Sequence, residues 1–127
     1  MFAGKRPKNL GVRDGKLASC PGTPNCVSSQ SDSPKEKVAP LTYDSTPEVA
    51  MAKLKGVIEA MERAKIVEES SNYLYAEFTS KLMGFVDDVE FYLDEGAKLI
   101  HVRSASRLGK SDLGVNRQRV EAIREKF

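Results

Sequence analysis

The sequence predicts an α+β fold in which an antiparallel sheet of four to five strands carries two helices on one face. Three observations support this prediction. Apolar residues recur at helical spacing after Pro47, alternate with polar residues between residues 65 and 104, and return to helical spacing after Asn116. Short turn-forming segments separate the alternating stretches, which favours hairpins and antiparallel pairing. The predicted order of elements is (β)αββββα.

The first 37 residues lack this periodicity. All six prolines lie within residues 7–47, and residues 28–37 are polar with no apolar repeat. A chain of 127 residues fits one domain comfortably. We therefore predict an irregular N-terminal arm over residues 1–37 and a single α+β domain over residues 38–127.

The first helix has the clearest start signal. Ser45, Thr46 and Glu48 supply a capping-box pattern, and Pro47 lies in the first turn, where its missing N–H costs no hydrogen bond. Residues at helical spacing then form one apolar face that is predicted to pack in the core. That face comprises Ala50, Leu54, Val57, Ile58 and Met61. Residues 38–43 are predicted to form a short edge strand before this helix.

Strands are predicted over residues 65–69, 73–79, 85–93 and 97–104, and a second helix over residues 116–127, with Val120, Ile123 and Phe127 on its buried side. A turn at Glu95 and Gly96 pairs the last two strands so that apolar side chains share one face and charged side chains the other. The predicted pairs are Val89 with Val102, Phe91 with Ile100, Asp88 with Arg103, and Glu90 with His101. We therefore expect a charged ladder on the face away from the helices.

Charge is unevenly distributed along the chain, although the net charge is only +2. Basic residues concentrate in residues 1–16 and 103–119, and acidic residues in residues 87–95. This pattern favours internal ion pairs over a uniform surface for nucleic acid, so no nucleic-acid partner is expected. No membrane-spanning apolar run is visible, which predicts no transmembrane segment. No signal peptide is visible either, so the location is left open, with a cytoplasmic or membrane-peripheral location as the default and a removed leader as the alternative.

The two cysteines, Cys20 and Cys26, are separated by five residues rich in turn formers. This spacing differs from the C-x-x-C pattern of redox enzymes. A turn between them can bring the two thiols together, which predicts a short disulfide loop. The alternative is a pair of reduced thiols, which a reducing cytosol favours.

The segment 103–117 combines serine, glycine and basic residues between a strand and a helix. Free N–H groups at the helix start and nearby arginine donors suit an anion. The structural alternative is that Arg103 pairs with Asp88, and Arg107 with Asp87 or Asp112, so that the loop is fixed to the sheet. Both interpretations stay open at this level, because internal pairing can also preorganise a site.

No residue pattern identifies a catalytic centre. Asp87 and Asp88 point to opposite faces of a strand and cannot form one acid–base pair. Asp88 and Glu90 share a face but have predicted cationic partners, which lower their pKa instead of raising it towards neutrality. Two cysteines and His101 are too few for a structural zinc site. We therefore expect no catalytic residue, no metal and no cofactor, and enzymatic activity is left open but disfavoured.

Three motifs occur in order along the chain. They are Cys20-Pro21-Gly22-Thr23-Pro24-Asn25-Cys26-Val27-Ser28-Ser29, then Asp87-Asp88-Val89-Glu90-Phe91, and then Val102-Arg103-Ser104-Ala105-Ser106-Arg107-Leu108-Gly109 with Ser111-Asp112-Leu113-Gly114-Val115-Asn116-Arg117. Together they resemble the family called domain of unknown function 1499 over roughly residues 10–127. Residues 4–12 look most similar to versions from cyanobacteria and plastids.

The family has no agreed activity, so the resemblance implies a surface rather than a substrate. Many bacterial members are exported or membrane-associated, which favours an oxidised Cys20–Cys26 pair. The motif residues that the resemblance carries over are polar, and they define a candidate ligand or partner surface. They are Asp87, Asp88, Glu90, Arg103, Ser104, Ser106, Arg107, Asp112, Asn116 and Arg117.

These observations favour a non-catalytic binding or assembly module with a protein partner, and the resemblance to phototroph proteins implies a photosynthetic membrane complex as that partner. The alternative is a small-molecule or anion-binding protein, with or without hydrolytic chemistry, that uses the loop after the fourth strand. A concave pocket lined by Arg103, Ser106, Arg107 and Asn116 favours the ligand. Internal pairing of the same side chains favours the protein partner.

Overall fold

A computed structural model describes residues 3–109 and 112–127. Two short strands and a helix come first, followed by four longer strands and a second helix. In chain order these are β1 (Cys26–Ser28), β2 (Leu41–Thr42), α1 (Pro47–Glu59), β3 (Ala64–Glu69), β4 (Tyr73–Thr79), β5 (Val86–Asp94), β6 (Leu99–Ser106) and α2 (Val115–Lys126). Within the described residues, neither helix is long and apolar enough to cross a membrane.

The six strands form one antiparallel sheet in the order β1-β6-β5-β4-β3, and β2 also pairs with β6. Strand β1 pairs with one end of β6 and β2 with the other, since Val27 lies opposite Ser104 and Leu41 opposite Ile100. The predicted α+β class and antiparallel pairing are confirmed, and the sheet has six strands rather than four to five. Strand β1 was not predicted, because three residues within a turn-rich segment carry no periodic signal.

Both helices pack on the same face of the sheet, as predicted. Helix α1 begins at the expected signal, where the Thr46 side chain accepts a hydrogen bond from the Val49 N–H at 3.2 Å. One apolar core joins the helices to the sheet. Its fully buried members include Leu54, Ile58, Leu74, Val89, Phe91, Ile100, Val102, Val120 and Ile123. Burial of these side chains supplies most of the free energy that holds the helices in place.

The predicted pairing of β5 with β6 is wrong by two residues. Phe91 lies opposite Val102 and Val89 opposite Ser104, whereas the sequence predicted Ile100 and Val102 as their partners. The connecting turn has four residues, 95–98, because Asp94 pairs with Leu99. A shift of two residues preserves the alternation of faces, so every side chain still lies on its predicted face.

The second face of the sheet is covered by the first part of the N-terminal segment, residues 3–20, which we call the arm from here on. Leu17 packs against Tyr73 and Tyr75, and Leu10 and Val12 extend this contact. The arm is held to the segment after β1 by Gln30: the side-chain oxygen of Gln30 accepts from the Leu17 N–H at 2.9 Å, and its nitrogen donates to the Gly15 carbonyl at 3.0 Å. The charged face of the sheet is therefore buried beneath the arm.

The predicted disulfide is confirmed, and it joins this arm to strand β1. Cys20 and Cys26 are bonded, with their Cα atoms 5.7 Å apart. Cys26 is buried at the start of β1, where it lies opposite Ala105 of β6. The bond thus closes a short loop, residues 20–26, at the edge of the sheet.

A thiol-reactive reagent applied to the native protein should modify neither Cys20 nor Cys26 until a reductant is added. The Cys20→Ser/Cys26→Ser variant should lose about 2 kcal/mol of unfolding free energy, because a closed seven-residue loop limits the entropy of the unfolded chain. Mass spectrometry after labelling and urea unfolding measure the two effects. Ready labelling of both thiols in untreated protein would contradict the bond.

Candidate functional site

The sequence-predicted site residues fall into two clusters on opposite faces of the sheet, because neighbouring residues of a strand alternate in direction. The arm-face cluster comprises Asp88, Glu90, Arg103 and Arg107 together with Tyr73, Tyr75 and Glu77. The helix-face cluster comprises Asp87, Ser104, Ser106, Asp112 and Asn116 together with Asn25 and Arg119. Arg117 belongs to neither cluster and donates to the Lys35 and Lys37 carbonyls. The ten residues therefore do not form one surface.

Arg107 is the centre of the arm-face cluster. Its Nε donates to Asp88 Oδ2 and its terminal nitrogen to Asp88 Oδ1, both at 2.9 Å, and the same terminal nitrogen contacts Glu77. This fork geometry is the strong form of an arginine–carboxylate contact. The predicted pairing of Arg107 with Asp87 or Asp112 is wrong, because those two carboxylates lie on the helix side of the sheet.

Hydrogen bonding to Asp88 raises the pKa of Arg107, so its guanidinium is charged at every accessible pH. Tyr75 donates to the same carboxylate, and burial together with that hydrogen bond raises the pKa of its hydroxyl. Arg6 of the arm donates to Glu77 at 2.8 Å. Side chains from β4, from the end of β6 and from the arm therefore meet at two carboxylates, those of Asp88 and Glu77.

Glu90 and Arg103 form a second pair on this face. Glu90 is fully buried, its Oε2 accepts from the Gly11 N–H at 2.7 Å and from the Tyr73 hydroxyl, and its Oε1 lies 3.9 Å from an Arg103 nitrogen. Burial raises the pKa of Glu90 and lowers that of Arg103. The predicted pairing of Arg103 with Asp88 is wrong, because the two-residue shift of register places Arg103 directly opposite Glu90.

His101 was predicted to lie opposite Glu90 and instead lies opposite Tyr92. The two rings stack with their centres 6.3 Å apart, and the His101 Nδ1 atom is 3.1 Å from the Ser29 hydroxyl. Burial lowers the pKa of His101, which favours the neutral ring. Among the described residues, no group of three or more His, Cys, Asp or Glu side chains could hold a metal ion.

Asn116 organises the helix-face cluster. Its oxygen accepts from the Ser104 hydroxyl at 2.6 Å, and its nitrogen donates to the Ser106 hydroxyl at 2.9 Å and to Asp112 at 2.7 Å. The same nitrogen reaches the Asn25 carbonyl at 3.2 Å. Asn116 is fully buried, so these contacts satisfy a polar group that would otherwise be costly to remove from water.

The N–H groups at the start of α2 already bind a carboxylate of the same chain, that of Asp112. Asp112 accepts from the Gly114 N–H at 2.8 Å and from the Asn116 N–H at 3.1 Å. Burial alone raises the pKa of Asp112, but hydrogen bonds from Asn116 and from backbone N–H groups outweigh it, and the net pKa is lowered. The N–H groups that the sequence suggested for an external anion are thus occupied by a side chain.

Arg119 and the tyrosines were missed by the sequence analysis. Arg119 pairs with Asp87 at 2.7 Å and lies 5.0 Å from the centre of the Phe78 ring. Its position three residues after Asn116 places both on one face of α2, which is a signal that could have found it. Tyr73 and Tyr75 alternate along β4 in the same way that the acidic residues alternate along β5, but only the pairing of the strands brings them together.

The disulfide loop supports the segment between β6 and α2. Asn25 donates to the Gly109 carbonyl at 2.8 Å and accepts from the Ser106 N–H at 2.9 Å. The Asp112 N–H donates to the Pro24 carbonyl at 3.2 Å. Lys110 and Ser111, which belong to the predicted basic segment, lie outside the described residues.

Large apolar side chains are exposed where this segment meets the β4–β5 connection. We call this set the apolar rim: it comprises Leu82, Met83, Phe85, Leu108, Leu113 and Val115. A groove of about 350 Å³ lies between the two loops and is lined by Phe85, Leu108, Leu113 and Val115 among others. Four of the six rim residues therefore line an apolar concavity at one end of the sheet.

These features define a small α+β domain in which buried ion pairs and a disulfide loop fix the shape of exposed loops. The chain belongs to the family described as Protein of unknown function (DUF1499), whose profile matches residues 16–127. That range includes the disulfide loop, every strand and both helices, and it confirms the resemblance read from the motifs. No curated protein is significantly similar to the chain.

Replacement of Glu77 by Gln should make stability less dependent on pH at the acidic end. Burial alone raises the pKa of Glu77, but the hydrogen bonds and charges of Arg6 and Arg107 outweigh it and hold the pKa below its ordinary value of 4.5. Ionised Glu77 therefore stabilises the fold above about pH 4.5, and this contribution is lost as the pH falls through the lowered pKa. Urea unfolding of both proteins between pH 7 and pH 3 should show a stability gap that narrows on acidification.

Glu62→Gln is the matched control, since the Glu62 side chain is 83% exposed and pairs with its neighbour Arg63. Its stability should follow that of the wild type at each pH. A gap between wild type and Glu77→Gln that stays constant over the whole range would show that Glu77 is not ionised preferentially in the fold.

Proposed function

We propose that the protein is a non-catalytic binding or assembly module that presents its loops to a protein partner. The observation that carries this proposal is the contact of Arg107 with Asp88 and Glu77 beneath the arm. In this contact, the charged groups that a ligand site would need are paired with each other. The pairing fixes the position of the chain immediately before the apolar rim. The polar residues act here as internal supports.

The internal pairing of four side chains favours a protein partner over a small ligand. Arg103 and Arg107 contact buried carboxylates, and Ser106 and Asn116 bond each other. Asp112 already accepts from the N–H groups at the start of α2. An incoming anion would have to displace these contacts, and the buried Asp88 and Asn116 side chains would each lose hydrogen bonds.

The environment of the acidic residues also supports a non-catalytic role. A general acid or base needs access to its substrate and a pKa near the working pH. Asp88 is held in a fork by Arg107, and Glu90 is covered by the arm at Gly11. Neither carboxylate can reach a substrate while the arm is in place.

The finer proposal is that the partner belongs to a photosynthetic membrane complex. It is supported by the resemblance of residues 4–12 to cyanobacterial and plastid sequences. Lys5, Lys8 and Asn9 of this stretch are exposed, whereas Leu10 and Val12 pack on the sheet. The apolar residues of the arm can therefore pack on the sheet while its exposed polar residues stay accessible to a partner.

Replacement of Arg107 by Lys should weaken capture of the partner while leaving the protein folded. Lysine keeps the buried positive charge but cannot form the fork with Asp88, so the loop loses its fixed geometry at a cost of about 2 kcal/mol in stability. Tagged wild type and variant are compared by affinity capture from detergent-solubilised membranes of the native organism. A membrane complex should be captured by wild type and strongly reduced with the variant.

Arg63→Lys is the matched control, because Arg63 is an exposed arginine that pairs with its neighbour Glu62. It should capture the complex as well as the wild type does. Circular dichroism establishes that both variants are folded. The proposal fails if the wild type captures nothing specific, or if Arg107→Lys captures the same proteins in equal amount.

A further inference from the structure

Exposed apolar side chains concentrate in one region of the molecule. Among the described residues, seven large apolar side chains are exposed, and six of them form the apolar rim. The seventh, Val49, lies on helix α1. Single exposed apolar residues need no explanation, but a contiguous group of this kind marks a surface that contacts a partner or a membrane.

The most exposed members of the rim project from the surface. Leu82 is 92% exposed and Leu113 is 90% exposed, and each belongs to a different loop. Residues that dominate protein–protein contacts are enriched in tryptophan, tyrosine and arginine, and leucine is under-represented among them. Two projecting leucines on adjacent loops fit a soft apolar medium better than a shaped protein pocket, and the boundary between lipid headgroups and acyl chains is such a medium.

The described parts of both loops are held in this shape before any partner arrives. Gly84, Gly109 and Gly114 have φ values of +72°, +85° and +83°, which side-chain-bearing residues rarely adopt. Asn25 and Asp112 fix the second loop through the hydrogen bonds described above. A preformed loop loses little conformational entropy on insertion, so its apolar side chains can contribute most of their transfer free energy.

The charges near the rim are complementary to anionic headgroups. The Asp87 carboxylate is neutralised by Arg119, and the Asp112 carboxylate is turned towards the N–H groups of α2. Lys81 is exposed beside Leu82. Gly4 lies so close to Leu108 that an added Cβ would come within 3.2 Å of the leucine side chain, and the next residue, Lys5, is exposed.

We propose that the apolar rim inserts into the interfacial layer of an anionic lipid bilayer, with Lys5 and Lys81 at the level of the headgroups. Apolar insertion and attraction of lysine to anionic lipid add in such contacts. The protein then binds the membrane peripherally, with its sheet above the surface and the apolar rim within the interfacial layer.

This proposal rests on the proposed function only in treating the molecule as a binding module, and it names the medium that the loops contact. It requires no protein partner. Vesicles made of lipid alone therefore test it, while capture from detergent extracts, which contain no bilayer, tests the protein partner.

The chain contains no tryptophan, so an introduced one reports its own surroundings. Leu113→Trp should shift its fluorescence emission to shorter wavelength when vesicles of phosphatidylglycerol and phosphatidylcholine are added, because the indole leaves water. Val49→Trp is the matched control, since Val49 is exposed on α1 away from the rim, and its emission should not shift. Vesicles of phosphatidylcholine alone should give a smaller shift with Leu113→Trp.

Co-sedimentation with the same vesicles tests the apolar and the charged contributions separately. Leu82→Ser/Leu113→Ser should bind anionic vesicles at least about tenfold more weakly than wild type, and Val49→Ser should bind as wild type does. Lys5→Glu/Lys81→Glu should lose the preference for anionic over neutral vesicles. These residues are exposed, so the variants should fold normally.

The lipid proposal is overturned if wild type ignores anionic vesicles, or if the double serine variant binds them as tightly as wild type. If vesicles are ignored but the double serine variant loses the captured protein complex, the rim is a protein-docking surface and the lipid proposal is wrong while the proposed function stands. If vesicles are bound but no protein is captured, the proposed function fails and the lipid proposal stands.

Discussion

The ion pair between Arg107 and Asp88 is the interaction on which the exposed part of the molecule depends. Both groups are buried beneath the arm, where an unpaired charge is costly, so neither can leave without the other. Their contact ties the end of β6 to β5, while Glu77 of β4 and Arg6 of the arm join the same cluster. The chain that continues from Arg107 into the apolar rim therefore starts from a fixed point and a fixed direction.

A sheet buried on both faces explains why so many polar side chains are internal. The helices cover one face with an apolar core, and the arm covers the other. Polar residues at the β5–β6 end of the sheet must find partners within the protein, and they do so through Arg107 on one face and Asn116 on the other. The described ends of the loop between β6 and α2 are thus supported from both faces, and the disulfide loop supports them from the edge.

In this structure, the residues that hold the loops in position differ from the residues that the loops expose. Charged residues are used where burial makes their pairing strong, and apolar residues are exposed where the loops project. The arrangement suits a module whose task is to hold a surface in one shape. It suits catalysis poorly, because the carboxylates are paired and covered.

Local sequence determined the two helices, the β3–β4 and β5–β6 hairpins and the face on which each strand side chain lies, because helical and alternating periods are properties of short segments. It also brought Cys20 and Cys26 together through a turn. The partners of Arg103 and Arg107 depended on tertiary structure, because a turn at residues 95–98, centred one residue later than predicted, moves every cross-strand neighbour by two positions without changing its face. Only the folded chain placed the arm over the charged ladder, since that contact joins residues more than sixty positions apart and leaves no periodic trace.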